Sequence, residues 1–268
     1  MFTGIIQELG TVARVERAKG LIRLSIHAPK TASKVERLES VAVSGVCLSV
    51  VNLRHGTMIF EVIQETQALT TLSRLRRGDC VNLEPSLSLS DRLSGHFVFG
   101  HVDGIATVVA RRQQDGEVRL DLRVPASLRK FLVSKGPVAV DGVSLTVGRV
   151  VGGSTFTIHL IPETMRQTTL GERGVGARVN VELDYVAKLL RQFAVSSGVL
   201  IWQGLPPARP RRRRPPPPPV CRPKGPRFAR RTDRWLGSGS AAGASAPASP
   251  AKFGHHLGFQ PVGSARHL

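Results

Sequence analysis

The chain has 268 residues, 41% of them hydrophobic, with 38 Lys and Arg against 19 Asp and Glu, a formal net charge of +19. Its three cysteines, Cys47, Cys80 and Cys221, form no CxxC pair and no metal-ligand spacing, which argues against a disulfide framework or a zinc site and for a reducing, cytoplasmic setting. There is no apolar run of about 18 residues to span a membrane, no signal peptide in MFTGIIQELG, and no GxGxxG, Walker loop or GxSxG elbow for a nucleotide cofactor or a serine hydrolase.

From the N-terminus onward, apolar and polar residues alternate over short stretches: TVARVE (11–16), LIRLSIH (21–27), MIFEVI (58–63), EVRLDLRV (117–124) and FTIHLI (156–161). Alternation with β-branched enrichment predicts strands, and RRGD (76–79) and VGGS (151–154) supply turns between them. TASKVERL (31–38) and SLRKFLV (127–133) each predict one short helix.

The blocks come round twice. GIIQELGTV, read from Gly4, aligns with GHVDGIATV read from Gly100, an offset of 96. GVCLSV (45–50) returns as GVSLTV (142–147) at 97, IQETQALTTL (63–72) as IPETMRQTTL (161–170) at 98, and VNLE (81–84) as VNVE (179–182) at 98. Such a period exceeds the roughly 20–50 residues of a solenoid repeat, so each copy is long enough to be a domain. The expected fold is all-β: two tandem domains, 1–96 and 97–184, each a small antiparallel barrel of about six strands whose closure removes exposed edges.

Beyond Asp184, YVAKLLRQF (185–193) carries a helical apolar stripe, and residues 185–203 are read as an appended helix. That stripe either docks on its own barrel or joins copies of the chain. Residues 204–268 hold 13 Lys and Arg against the single acid Asp233, and 13 of the 18 prolines. Such a Pro/Arg-rich segment cannot bury a core and predicts a disordered tail. Its plainer reading is a solvated extension; the sharper one is an SH3-type ligand or a weak nucleic-acid arm. The high net charge describes the tail more than the body, so it does not by itself indicate nucleic-acid binding.

Residues i and i+2 of a strand share a face. GVCLSV therefore places Cys47 beside Ser49, and GVSLTV places Ser144 beside Thr146, which suggests two related pockets for similar polar molecules; a tolerated pair of buried hydroxyls is the alternative. Glu65/Thr66 and Glu163/Thr164 put a carboxylate next to a hydroxyl in both copies, able to receive a ring urea edge or a polyol, or else to begin a turn or cap a helix. His96 and His101 in GHFVFGH, five apart, would face opposite ways on a strand and not share a metal. One of them could shuttle a proton near neutral pH; a histidine that merely satisfies its own hydrogen bonds is the alternative.

MFTGII, GVCLSV, GHFVFGHVDG, KGPVAVDGVSLTV, HLIPETMRQTTLGERGVGARVNVELD and YVAKLLRQF, in this order over residues 1 to about 195, resemble the alpha-chain riboflavin synthases, a lumazine-binding repeat family. The resemblance implies two six-stranded Greek-key barrels, a homotrimer assembled by the C-terminal helix, and association with lumazine synthase. It implies that two molecules of 6,7-dimethyl-8-ribityllumazine exchange a four-carbon unit, giving riboflavin and 5-amino-6-(ribitylamino)uracil, with no cofactor or metal. Carried over by motif, Phe2, Thr3, Gly4, Ile5 and Ile6 with Cys47, Leu48, Ser49, Glu61, Val62, Ile63, Gln64, Glu65 and Thr66 would form a first pocket. Gly100, His101, Val102, Lys135, Ser144, Leu145, Thr146, His159, Leu160, Ile161, Pro162, Glu163 and Thr164 would form a second. The resemblance gives Cys47 and Ser49 the acceptor ring, and His101, Ser144 and Thr146 the other ring and its protons. Asp184 would orient a polar partner. Ser49 departs from the threonine usual in the family, and the tail has no counterpart in the motifs that carry the resemblance.

Overall fold

A computed structural model describes residues 1–114 and 116–199; the tail expected over 204–268, and the last residues of the helical segment drawn to 203, lie outside them. Alternation becomes strand wherever it was strongest. In β2 (Leu21–His27), Ile22, Leu24 and Ile26 point inward and Arg23 and His27 outward; in β8 (Glu117–Arg123), Val118, Leu120 and Leu122 take the same places.

In the first copy β1 (Glu8–Ala18), β2, β3 (Ser40–Val43), β4 (Val46–Arg54), β5 (Thr57–Ile63) and β6 (Cys80–Pro85) close an antiparallel barrel in the order β1-β2-β5-β4-β3-β6. Leu24, Ile26, Met58, Phe60, Leu72 and Leu83 fill it, and each fully buried side chain of this size contributes on the order of 1.5–3 kcal/mol relative to exposure.

The second copy forms seven strands where the repeat predicts six. β7 (Gly104–Gln114), β8, β9 (Pro137–Val140), β12 (Thr155–Leu160) and β13 (Arg178–Leu183) match β1, β2, β3, β5 and β6. The counterpart of β4 is split into β10 (Val143–Thr146) and β11 (Val150–Val151), which stand at opposite ends of the order β10-β9-β13-β7-β8-β12-β11. The break falls at Gly148, where the first copy has a register shift between Val50 and Asn52. There the Thr157 hydroxyl takes the Arg149 amide (2.8 Å), while Gly148 N–H donates to the Thr157 carbonyl (2.7 Å) and keeps the ring joined. Leu120, Leu122, Phe156, Ile158, Leu160 and Val181 fill this second core.

Short helices depart from expectation. The turn expected over 31–38 is confined to α1 (Pro29–Ala32), and Leu38 takes φ +76° so that its amide can reach the Val50 carbonyl (2.8 Å). The helix expected over 127–133 is a 3-10 turn, Ala126–Phe131. The two Glu-Thr pairs open helices: α2 (Gln64–Leu69) and α3 (Pro162–Gln167). His96 and His101 do not lie on a strand; they lie in the connection before β7, which is pinned by a bridge between Phe2 and Val98. Finally α4 (Tyr185–Ser196) follows β13, capped by Asp184, whose carboxylate accepts the amides of Val186 (3.2 Å) and Ala187 (3.3 Å).

Candidate active site

Two cavities open beside the repeated strand pairs. One, about 250 Å³, is bounded by Val46, Cys47, Glu65, Thr66, Leu69, Thr70, Gly100, His101 and Val102. The other, about 520 Å³, is bounded by Gly95, His96, Lys135, Pro137, Ser144, Leu145, Thr146, Gly148, His159, Ile161 and Thr164. Cys47 and Ser144 hold equivalent positions on β4 and β10, and each is half-buried at the rim of its own barrel.

The connecting segments cross over, contrary to the grouping expected from the sequence. The Gly4 carbonyl accepts the amide of Ser144 (2.8 Å), and Ile6 packs against the core of the second barrel. The Gly100 carbonyl accepts the amide of Cys47 (2.9 Å), and Val102 packs against the core of the first. The N-terminal strap thus belongs with the second pocket, and Gly100, His101 and Val102 with the first. Both glycines are required by geometry. Each takes a positive φ, +79° and +76°, and a Cβ would stand 2.6 Å from Ser144 Cβ in one case and 2.5 Å from Cys47 Cβ in the other.

Several residues expected to line a pocket instead point into a core. Phe2 is fully buried with Ala42, Val98 and Ala139 in a small apolar cluster. Leu48, Val62 and Leu160 face their barrel interiors, as the alternation of their strands requires. Thr3 is buried and donates to Glu84. Glu61 pairs with Arg23 on the outer face (2.6 Å). Ser49 is exposed on the Cys47 face of β4 but does not bound the cavity. Gln64 and Pro162 begin α2 and α3, with exposed Ile63 and Ile161 just before them. Ile5 is exposed, and Glu163 is engaged by Arg166 and Gln167, which hold its carboxyl below the usual range. His159 bounds the second cavity and hydrogen-bonds Glu117.

The second pocket also includes His96, which the sequence offers only as one of two candidate proton shuttles. His96 Nδ1 lies 2.7 Å from Ser144 Oγ. Burial pushes its pKa below 6.5, against the opposing charge of Asp184. At neutral pH the ring is therefore uncharged and able to exchange a proton with the hydroxyl it touches. Lys135 and Thr146 complete the polar wall. The first pocket offers the Cys47 thiol, the Glu65/Thr66 pair and the His101 ring, which stacks near Phe99 at 6.2 Å between centroids.

Two further pairs went unassigned, although VNLE and VNVE display them. Asn82 and Asn180 are buried where the barrels meet, and Glu84 and Glu182 are buried under the two straps. Their recurrence was the available signal; only their contacts show its purpose.

Comparison with known proteins finds the same repeat. The family model described as "Lumazine binding domain" matches residues 3–86 and again 99–184. The riboflavin synthase of Bacillus subtilis is 39% identical over 193 residues, covering 72% of this chain and 89% of that protein. The riboflavin synthase of Mycobacterium tuberculosis is 41% identical over 201 residues, covering 74% of this chain and 100% of that protein. Among solved structures, LumP complexed with 6,7-dimethyl-8-(1'-D-ribityl) lumazine superposes with a TM-score of 0.62 at 26% identity, covering 68% of this chain and 98% of that one.

Proposed function

Since the chain belongs to the lumazine-binding family, in the branch of the riboflavin synthases, we propose that it dismutates 6,7-dimethyl-8-ribityllumazine: one molecule gives four carbons to another, forming riboflavin and 5-amino-6-(ribitylamino)uracil. It is an enzyme, a transferase. One observation carries this reading: the two copies of the repeat set equivalent residues, Cys47 and Ser144, each on the wall of its own cavity, as two like reactants require.

The chemistry follows from the walls. Two flat heterocycles must meet face to face in one opposed orientation, and fixed orientation alone supplies effective molarities of about 10⁵ M or more. The donor's ring methyl is acidified by conjugation, so a modest base suffices. His96, uncharged and bonded to Ser144, serves the second pocket in that capacity, with Lys135 and Thr146 holding polar edges. Cys47 and His101 face the acceptor in the first, with Ser49 beside the rim and Glu65 and Thr66 toward its urea edge or ribityl chain. Asp184, held as the cap of α4, acts on the second pocket through its charge, which opposes the effect of burial on His96.

The working unit in this reading is a homotrimer, in which the first pocket of one subunit meets the second pocket of a neighbour. Val186, Leu189, Leu190 and Phe193 of α4 are all more than half exposed in the single chain and support assembly through that helix. Among the described residues no helix is long and apolar enough to cross a membrane. Work in the cytoplasm and association with lumazine synthase belong to the same proposal.

The test is a cofactor-free assay with purified protein and 6,7-dimethyl-8-ribityllumazine alone. One riboflavin for every two lumazines consumed is the expected result. Tight binding without riboflavin would instead indicate a chromophore carrier, and repeating the assay on residues 1–203 would show whether the tail is the cause.

A further inference from the structure

We propose that Glu84 and Glu182 are positioning residues that act crosswise, each carboxylate in one barrel setting the polar residue of the other barrel's pocket. The inference rests on the functional reading above but concerns residues that reading does not use. Glu84 stands on β6 of the first barrel, 4% exposed. Its Oε1 accepts both the amide (2.7 Å) and the hydroxyl (2.7 Å) of Thr3, and its Oε2 accepts the amide of Gly4 (2.9 Å). The Gly4 carbonyl then accepts Ser144 N–H of the second barrel. Glu182 stands on β13 of the second barrel, 5% exposed. It accepts the amides of Phe99 (2.8 Å) and Gly100 (2.9 Å), and the Gly100 carbonyl accepts Cys47 N–H of the first barrel.

Chemistry explains why the residue is glutamate both times. Two adjacent strap amides point at one side chain, and only a carboxylate presents acceptors at both tips; an amide would turn an NH2 toward a backbone N–H. Neither carboxylate makes an ion pair among the described residues. Burying a carboxylate without an ion-pair partner costs stability, and the Lys188 charge that reaches Glu182 does not outweigh its burial, so keeping both carboxylates points to geometry as their use. Since each strap crosses to the opposite barrel, disturbing Glu84 displaces Ser144 and its partner His96, whereas disturbing Glu182 displaces Cys47.

A crossed double-mutant cycle on kcat/KM separates this from a general structural role. Glu84→Gln combined with Ser144→Ala is expected to lose at least about threefold less than the product of the single losses, while Glu84→Gln with Cys47→Ala multiplies. Glu182→Gln is expected to couple to Cys47→Ala and multiply with Ser144→Ala. Coupling within the same barrel, equal coupling to both partners, or none would overturn the proposal. A second measurement needs no turnover, and so stands even if the functional reading fails. In a Cys80→Ser/Cys221→Ser background, Glu182→Gln should change the rate of Cys47 alkylation several-fold and Glu84→Gln should not; equal effects would overturn it. Should the glutamine variants not fold, Glu84→Asp and Glu182→Asp keep the acceptors, retract them by one methylene, and must show the same crossed pattern.

Discussion

Asn82 and Asn180 make the same pair of bonds in mirrored directions across the contact between the barrels. Asn82 Nδ2 donates to the Asp141 carbonyl (2.8 Å) while its Oδ1 accepts the amide of Thr169 (2.8 Å). Asn180 Nδ2 donates to the Ser44 carbonyl (2.8 Å) while its Oδ1 accepts the amide of Thr71 (2.8 Å). Each side chain therefore satisfies two backbone groups of the opposite copy, and each is essentially inaccessible to water. The relation between the barrels is written into the repeat itself.

Replacing either asparagine with alanine should strip both bonds and leave two backbone groups without these partners, at about 1–3 kcal/mol for each that is buried. Asn82→Ala and Asn180→Ala should lower stability by similar amounts, read as a shift in urea midpoint. A variant within about 0.5 kcal/mol of wild type would mean that these bonds do not hold the barrels together.

Much of this was legible beforehand and some could not have been. Alternation in LIRLSIH and EVRLDLR identified inward and outward residues because one face of each strand is buried. The repeat identified two barrels and two pockets. It could not say which barrel each strap serves, because a strap folded on its own barrel and one crossed to the other leave the same pattern of residues in the chain. That is why His101 was expected beside Ser144 and stands instead beside Cys47. Nor did TASKVERL announce that its far end leaves helix for a bond to a distant strand, the Leu38 amide donating to the Val50 carbonyl.

Asp141 gives stability a particular pH dependence. It is 1% exposed, with Asn180 N–H on Oδ1 (2.7 Å) and Arg173 on Oδ2 (3.3 Å), yet burial pushes its pKa up to about 6 from 3.8. Because the folded chain prefers the protonated form, this group's contribution is complete below the ordinary carboxylate pKa and is lost as pH rises through about 6. Glu84 and Glu182 are also raised by burial and act in the same sense. In Asp141→Asn the decline in stability between acid and neutral pH should be shallower, by about 1.4 kcal/mol for each pKa unit removed. Urea unfolding across that range checks it; an unchanged slope would assign the effect to other groups.

His96 and Asp184 can be separated by titration. The charge of Asp184 opposes the downward push of burial on His96, so Asp184→Asn should move the His96 pKa further down. NMR titration of the imidazole C2 proton, assigned with His96→Gln, reads this directly. If His96 takes up the proton in catalysis, the acid limb of the pH–rate profile should fall with it. An upward shift would contradict the influence of the Asp184 charge on the ring.

Removing Met1 to Gly4 should damage the second pocket directly and disturb the first as well, because Cys47 packs against the Phe2 cluster. The segment supplies the carbonyl that holds Ser144, and Phe2 seals the apolar cluster between the barrels. Gly4→Ala is the narrower test, since its Cβ would meet Ser144 at 2.6 Å. Turnover should fall at least about tenfold, because misplacing a reacting group by a fraction of an ångström forfeits part of the orientation advantage. In Gly4→Ala, which keeps Phe2, Cys47 alkylation should stay at the wild-type rate. Normal turnover in the truncated chain would remove the strap from the site.

The outer face of α4 carries the prediction about assembly. Leu190 is 64% exposed and Phe193 71%, on a helix whose Lys188 turns inward to Asp103 (3.0 Å). Burying a valine, leucine or phenylalanine contributes on the order of 1.5–3 kcal/mol, so the face formed by Val186, Leu189, Leu190 and Phe193 favours association. Leu190→Asp with Phe193→Asp should yield monomers by sedimentation. If the working site needs a neighbour's pocket, those monomers should still bind 6,7-dimethyl-8-ribityllumazine but make almost no riboflavin, because each pocket then faces solvent in place of its reactant. Full turnover by a monomer would place both reactants within one chain and remove the neighbour from the mechanism.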